Sequence, residues 1–393
     1  MSGKGGRGVT PGTWLKRFDW MIVAVLVAIA CISVINIASA THTLDAHHPA
    51  YYYARQIIWF GIGFLFMGLV VAVGDQRLAE WWKPMYWIGI VLLVAVYLFG
   101  TEINGAKAWF DLKVLSVQPS EYMKLATIVA ISQYFAKLEE SGQRRFRDLF
   151  VPMGMIGLPF VLIVIEPDLG MGLVMLAMGI GMFMVSGTRW RHLLVLFGAG
   201  AAVIASLVVL YHVDPHVFFK IIKPYQLDRL VAFRDPVKYL KPDETGNAPG
   251  YHTYESLIAV GSGGLWGEGF EQGAQTQGRF VPENYTDFIF SVLSEEWGFV
   301  GSMTLILLYL IFFYRMIRIA LGTRDMYGTN VIAGVFSMFF AQVFENIGMN
   351  IGIMPITGIT LPFMSYGGSS IATSMMAVGL VLSVGLRRKK TMF

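Results

Sequence analysis

The sequence predicts an all-α integral membrane protein of about ten transmembrane helices, and three observations carry that reading. Of its 393 residues, 55% are hydrophobic and only 14% charged, where a soluble domain carries about a quarter as charges. Apolar runs recur along the chain at ~20 residues, the length at which a helix crosses a hydrocarbon core while satisfying its own backbone. Lys and Arg are also divided unevenly between alternate connecting segments, the bias that orients a polytopic protein.

Taken in order, the runs place spans near 20–41, 56–74, 84–100, 119–136, 149–165, 169–187, 192–212, 286–312, 328–350 and 365–386. The first follows Lys16 and Arg17 and ends Ala38-Ser39-Ala40, a pattern that superficially suggests a cleaved signal; its apolar stretch is too long for one, and a retained span is expected. With the N-terminus inside, one side collects Lys4, Arg7, Lys16, Arg17, Arg77, Lys83, Lys137, Arg144, Arg145, Arg147, Arg189, Arg191, Arg315, Arg318, Arg324 and Arg387 to Lys390. The short outer loops hold Lys107 and Lys113, with Arg55 at a membrane edge, so both tails (1–19 and 387–393) are expected in the cytoplasm of one single membrane domain, 1–393.

Between the seventh and eighth spans, residues 213–285 make one large extracytoplasmic loop. Tyr225 to Leu240 and Tyr251 to Val260 have helical apolar spacing, with aromatic residues suited to an interface. Gly261 to Gly278 contains seven glycines. Such a segment allows backbone amides to approach a phosphate, but it is not G-x-G-x-x-G after a strand, and a bent connector is the plainer reading.

Net charge is only +4, with the basic residues at membrane edges, so no nucleic acid partner is expected. The single cysteine, Cys31, lies in the first apolar run, where a small buried hydrophobe is expected. There is no Cys/His metal spacing.

Ionisable residues inside spans are costly and mark sites or pathways. Glu121 and Lys124 are three apart and share a helix face, as a structural or a functional pair. Glu166 and Asp168 flank Pro167 at an outer turn. Asp287 lies where the outer loop re-enters the membrane, as a chemical group or merely a helix cap. Glu295, Glu296 and Glu345 lie within spans, and Asn346 and Asn350 share a face suited to interhelical hydrogen bonds. The stretch Pro355 to Ser370, with two prolines and three glycines, is not helical throughout, and such backbone at membrane depth lines a cavity.

Asn346-Ile-Gly-Met-Asn350 through Pro355, Gly358, Pro362 and Ser365-Tyr-Gly-Gly-Ser-Ser370 resembles the long signature of the SEDS family (shape, elongation, division and sporulation). Further matches are Gln118-Pro-Ser-Glu121-Tyr-Met-Lys124, Glu166-Pro-Asp168-Leu-Gly170, Phe233-Arg234-Asp235-Pro236, Ser256 to Gly264, Gly267-Glu-Gly269 and Phe280 to Phe290. The Gly-Ser-Gly-Gly and Gln275-Thr276-Gln277 portions look more like the elongation branch than the division branch. Glu255 stands where the family often has Gln, and Tyr285 where it often has His.

The resemblance implies a peptidoglycan glycosyltransferase of the bacterial cytoplasmic (inner) membrane that polymerises lipid II into a growing glycan strand. It also implies work with a class B penicillin-binding protein and other elongation-complex membrane proteins. Asp287 matches the family's essential aspartate and is the expected general base. Arg55, Lys124, Arg229 and Arg234 are candidate partners for the diphosphate leaving group. Glu121, Asp168, Asn346 and Ser365 complete the expected substrate-binding set, with a divalent cation (Mg or Mn) held partly by substrate phosphates as a further possibility. A lipid II flippase and a non-catalytic scaffold for the penicillin-binding protein are the rival readings; neither needs an outer carboxylate base.

Overall fold

The structure, a computed structural model, describes residues 17–44, 50–103, 106–111, 116–140, 146–221, 224–240 and 250–387. The tail residues Lys4, Arg7, Lys16, Arg388, Lys389 and Lys390 and the loop residues Lys113, Arg144 and Arg145 lie outside them.

The chain is a helical bundle. Its elements run α1 (Trp20–Thr41), α2 (Tyr51–Val73), α3 (Asp75–Glu80), α4 (Trp82–Phe99), β1 (Thr101–Ile103), β2 (Ala106–Asp111), β3 (Ser116–Val117), α5 (Pro119–Glu140), α6 (Phe150–Ile165), α7 (Leu169–Val185) and α8 (Trp190–Val213). They continue with α9 (Pro215–Ile221), α10 (Pro224–Arg234), α11 (Tyr251–Ser262), α12 (Ala274–Gln277), α13 (Ile289–Gly322), α14 (Met326–Asn350) and α15 (Gly368–Arg387). A helix thus occupies each of the ten apolar stretches. By length and composition, seven helical segments of the described residues suffice to cross a membrane: α1, α2, α4, Phe146–Ile165, α13, α14 and α15; α7 is a shorter apolar helix.

Why the chain belongs in a bilayer is visible on its outside. Leu65 on α2 is 61% exposed and Val91 on α4 is 64% exposed, with Ile58, Trp87 and Leu98 beside them. So continuous an apolar surface is at rest only against lipid or protein. Inside, α5, α14 and α15 are the most enclosed helices, and this explains why α5 is polar: Ser120, Glu121, Lys124, Thr127 and Ser132 all point into protein, not lipid.

Charges at one end of the bundle lock several helices together. Arg315 of α13 lies 2.6 Å from Asp19 before α1. Arg387, ending α15, bonds Asp75 at the start of α3 and reaches Asp325 before α14 at 3.2 Å. Asp75 also accepts from Ser383. The opposite end holds the 166–168 turn, the 284–288 segment and the residues described next.

The structure departs from the expectations at four points. The short outer loop after α4 is a three-stranded antiparallel meander, β1-β2-β3, so the chain is not wholly α. Alternating residues over so short a stretch give too weak a pattern to read. The eighth helix runs to Gly322 and is broken at Gly298, with φ 64° and ψ −161°. Cys31 is exposed on the outside of α1 and not buried. The last concerns Gly261–Gly278, which docks on that break: Phe299 and Val300 donate backbone N–H groups to Gly264 and Leu265 at 2.9 and 3.2 Å, while Glu268 and Gly269 donate to Glu295 and Glu296. A Cβ on Gly267 would stand 2.1 Å from the Glu296 carbonyl oxygen, and one on Gly298 2.4 Å from the Gly267 nitrogen. The glycines are there so that two backbones can touch.

Candidate active site

Asp287 ends the segment leading into α13, one residue before that helix's N-cap, Phe288, and no side chain caps the helix. The capping alternative therefore fails. Its carboxylate makes no hydrogen bond among the described residues and lies against Gly358, where a Cβ would come within 3.4 Å of Oδ2. Gly358 has φ 74°, a conformation glycine takes without strain, and so gives the carboxylate room on that side.

The segment carrying Asp287 is fixed through its main chain. Asn346 donates its amide to the carbonyls of Asp287 (2.8 Å) and Ile359 (2.6 Å), and Asn350 reaches the Asp287 carbonyl at 3.3 Å. The Asn350 carbonyl oxygen Oδ1 accepts from the Ser291 backbone at 3.1 Å, and Ser256 Oγ donates to the Asn350 backbone carbonyl at 3.0 Å. Ser365 donates to the Thr286 carbonyl at 2.5 Å and accepts from Leu361 N–H at 2.7 Å. Tyr366 N–H donates to the Tyr285 carbonyl at 2.9 Å. Asn346 and Ser365 are buried, and their polar atoms hold the backbone of the segment that carries Asp287.

Three charges act on Asp287. Burial pushes its pKa up to about 7, Glu283 and Asp168 push the same way, and Arg229 opposes them. A carboxylate that is roughly half ionised near neutrality suits proton transfer. Asp168 differs in kind: its two oxygens accept from Met171 N–H (3.0 Å), capping α7, and from Gln118 Nε2 (2.9 Å). Burial still raises its pKa to about 6 against those bonds and Lys124.

Glu121 and Lys124, on the first turns of α5, pair at 3.0 Å with side chains 2% exposed each. Thr373 of α15 donates to Glu121 Oε2 at 3.0 Å, and Lys124 Nζ also approaches Met171 Sδ at 3.5 Å. The pair thus ties α5 to α7 and α15, and its charges reach Asp168. Arg229 is exposed on α10 and its field reaches both Asp287 and His252. Arg55 donates to the Tyr51 hydroxyl, lies 4.9 Å over that ring and acts on Tyr366. Arg234 sits exposed at the last turn of α10 and makes no hydrogen bond or ion pair with the other site residues.

Two participants were missed as site residues in the sequence. Glu283 was seen only as part of a motif, and its proximity to Asp287 depends on a turn in which its own φ is 51°. Glu166 looked like a wet turn residue; it is 1% exposed, both its oxygens lack partners, and burial followed by Asp168 pushes its pKa to about 8. No sequence signal separates a wet from a dry carboxylate at such a turn. Among the described residues no group of three or more His, Cys, Asp and Glu is arranged to hold a metal ion.

The family model described as a cell cycle protein of the FtsW, RodA and SpoVE group matches residues 16–390. The chain belongs to this family. Among its SEDS relatives, the stage V sporulation protein E of Bacillus subtilis is 37% identical over 372 residues, covering 93% of this chain and 96% of that protein. The peptidoglycan glycosyltransferase MrdB of Escherichia coli strain K12 is 36% identical over 333 residues, covering 84% of this chain and 85% of its own. Among solved SEDS structures, the fold matches a chain described under structural coordination of polymerization and crosslinking by a peptidoglycan synthase complex. Its TM-score is 0.74 and its identity 31%, over 94% of this chain and 97% of that one. It also matches the rod shape determining protein RodA of Thermus thermophilus, with TM-score 0.67 and 30% identity over 95% and 98% of the two chains.

Proposed function

We propose that this chain is a peptidoglycan glycosyltransferase of the bacterial inner membrane that polymerises lipid II on the outer face, in the elongation role of RodA. Asp287 is its general base, and the observation that carries this is a carboxylate free of hydrogen bonds among the described residues, on a rigidly held segment, with its pKa near neutrality. Relatives across the whole length named as peptidoglycan glycosyltransferases support the activity. The match to a chain from a peptidoglycan synthase complex supports a crosslinking partner, a class B penicillin-binding protein.

In the reaction an acceptor hydroxyl oxygen attacks the anomeric carbon of a second lipid-linked sugar. The bond from that carbon to the diphosphate oxygen breaks, the diphosphate leaves with the electron pair, and the hydroxyl proton passes to Asp287. Arg229, exposed on the outer helix α10 and already acting on Asp287, is the cation best placed to meet the departing charge, with Arg55 at the rim. The buried Glu121–Lys124 pair shapes the wall behind Asp168.

Asp287→Asn tests the reading. It preserves shape while removing the base, and polymerisation of lipid II by the purified protein with its partner falls ~100- to 10,000-fold while membrane insertion and partner binding persist. Near wild-type polymerisation by this variant would sink the assignment. Lipid II translocation by a wild-type protein unable to polymerise would favour the flippase.

A further inference from the structure

Beside Asp287 stands a cluster of aromatic rings that none of the roles above uses. Tyr52 on the first turn of α2, Tyr285 in the outer segment and Tyr366 before α15 form a triangle. Their centroids lie 5.3 Å (Tyr52–Tyr285), 5.4 Å (Tyr52–Tyr366) and 5.9 Å (Tyr285–Tyr366) apart. All three are half-buried. Their tilted and edge-on contacts fix the rings against one another.

The triangle is built into the site and not into the lipid-facing outside. Tyr366 N–H donates to the Tyr285 carbonyl, and Ser365 next to it holds Thr286, so the backbone that carries two of the rings is the backbone that carries the base. Tyr285 lies within the electrostatic reach of Asp287, Glu283, Tyr52 and Tyr366. Tyr52 and Tyr285 make no hydrogen bond through their hydroxyls among the described residues, and burial holds the Tyr285 hydroxyl protonated, its pKa pushed up to about 12. The Tyr366 hydroxyl is hydrogen-bonded with Trp59, which holds that ring in place. A rigid, partly open set of aromatic rings, two of them with hydroxyls unengaged among the described residues, is the composition of a sugar site: apolar ring surface for the C–H face of a pyranose, hydroxyls for its edge.

We propose that Tyr52, Tyr285 and Tyr366 form the subsite for the pyranose ring of the acceptor saccharide. The assignment to the acceptor rests on the reading of Asp287 as base: the sugar whose hydroxyl loses a proton must lie within hydrogen-bond reach of that carboxylate, and Tyr285 is two residues away.

The test uses the full chain in nanodiscs. Binding of the lipid-free disaccharide-peptide is measured by saturation-transfer NMR, and polymerisation of lipid II is measured separately for KM and kcat. Tyr52→Leu and Tyr285→Leu are expected to weaken disaccharide binding about tenfold and to raise KM by a similar factor, while Tyr285→Phe, which keeps the ring, stays within about threefold. Where a Leu variant loses thermal stability, Tyr52→Phe, which keeps the ring and its packing, is expected to bind the disaccharide within about threefold of the wild type. The same binding measured on Asp287→Asn is expected to persist, which separates the subsite from the catalytic reading. Disaccharide binding unchanged in both Leu variants, or equal loss in Tyr285→Phe and Tyr285→Leu, would overturn the proposal. Tyrosine-dependent disaccharide binding by a wild-type protein that does not polymerise would instead overturn the polymerase and leave the subsite standing.

Discussion

Lys124→Met removes one half of a buried ion pair and leaves the rest of its surroundings intact. Methionine has nearly the length of the lysine stem and fits beside Met171, so packing changes little. What remains is Glu121, whose side chain is 2% exposed, with the Thr373 hydroxyl at 3.0 Å on Oε2 and no partner on Oε1. Leaving one partner of a buried pair uncompensated costs about 3–5 kcal/mol, while replacing both by neutral groups is often close to neutral. Lys124→Met is therefore expected to lose about 3–5 kcal/mol of unfolding free energy, and Glu121→Gln/Lys124→Met to regain more than half of it. Unfolding in nanodiscs followed by tryptophan fluorescence reads the stability, and lipid II polymerisation reads function. Polymerisation should fall in Lys124→Met, where Asp168 loses the positive charge that favours its ionised form and keeps the negative one that opposes it, and recover in part in the double variant, where both charges are gone. If Lys124→Met unfolded within about 1 kcal/mol of the wild type and polymerised normally, the pair would be ornamental and the cost of burying it misjudged.

Other consequences follow from the same geometry. With Asp287 at about 7, the reaction needs the ionised form, so the rate should climb through pH 7 from the acid side; Glu283 and Asp168 hold the midpoint up and Arg229 holds it down, so Arg229→Gln should move it to higher pH, and an unchanged midpoint in that variant would break the link. Asn346→Leu strands the Ile359 carbonyl, at about 1–3 kcal/mol, and leaves the Asp287 carbonyl only its longer bond from Asn350; it is expected to lower kcat far more than it alters KM, as steady-state polymerisation would reveal. Gly267→Ala forces a methyl to 2.1 Å from the Glu296 carbonyl oxygen at φ 83°; strain and overpacking together should cost about 3 kcal/mol or more, seen as faster proteolysis of the 261–278 segment.

How much of this was legible in the sequence depended on how local the signal was. Every long helix could be read, because an apolar run long enough for a bilayer is a property of the run alone, and the 351–367 interruption showed through its prolines and glycines. The pairing of Glu121 with Lys124 followed from their spacing on α5. The meander at 101–117 was missed because its strands are short and their partner is the neighbouring strand. The break at Gly298 was missed because glycine within an apolar run looks like any helical glycine; what opens the helix is Gly264 and Leu265, some thirty residues earlier, taking its backbone donors. Asp287 was found through resemblance, but whether it capped α13 or stood free depended on where the preceding turn left the carboxylate.

That freedom is itself an argument about mechanism. Asp168 and Asp287 are two carboxylates near one another, both partly buried and both with raised affinity for protons, yet the proposed role of a base that takes a proton and gives it up suits them unequally. Asp168 has both oxygens engaged, by the α7 backbone and by Gln118, so protonating it breaks bonds that the ionised form makes. Among the described residues Asp287 has none to break. A group left free in that way would ordinarily wander, and wandering by 1 Å can cost a hundredfold in rate. Here the restraint is applied one bond further back, at the carbonyls of Thr286 and Asp287, by Ser365, Asn346 and Asn350. Position is thereby separated from proton affinity: the backbone contacts set where the carboxylate is, and Arg229, Glu283 and Asp168 set how tightly it holds a proton. Substitutions at Asn346 and Arg229 should consequently act on different observables, the former on kcat at every pH and the latter on the midpoint of the pH profile.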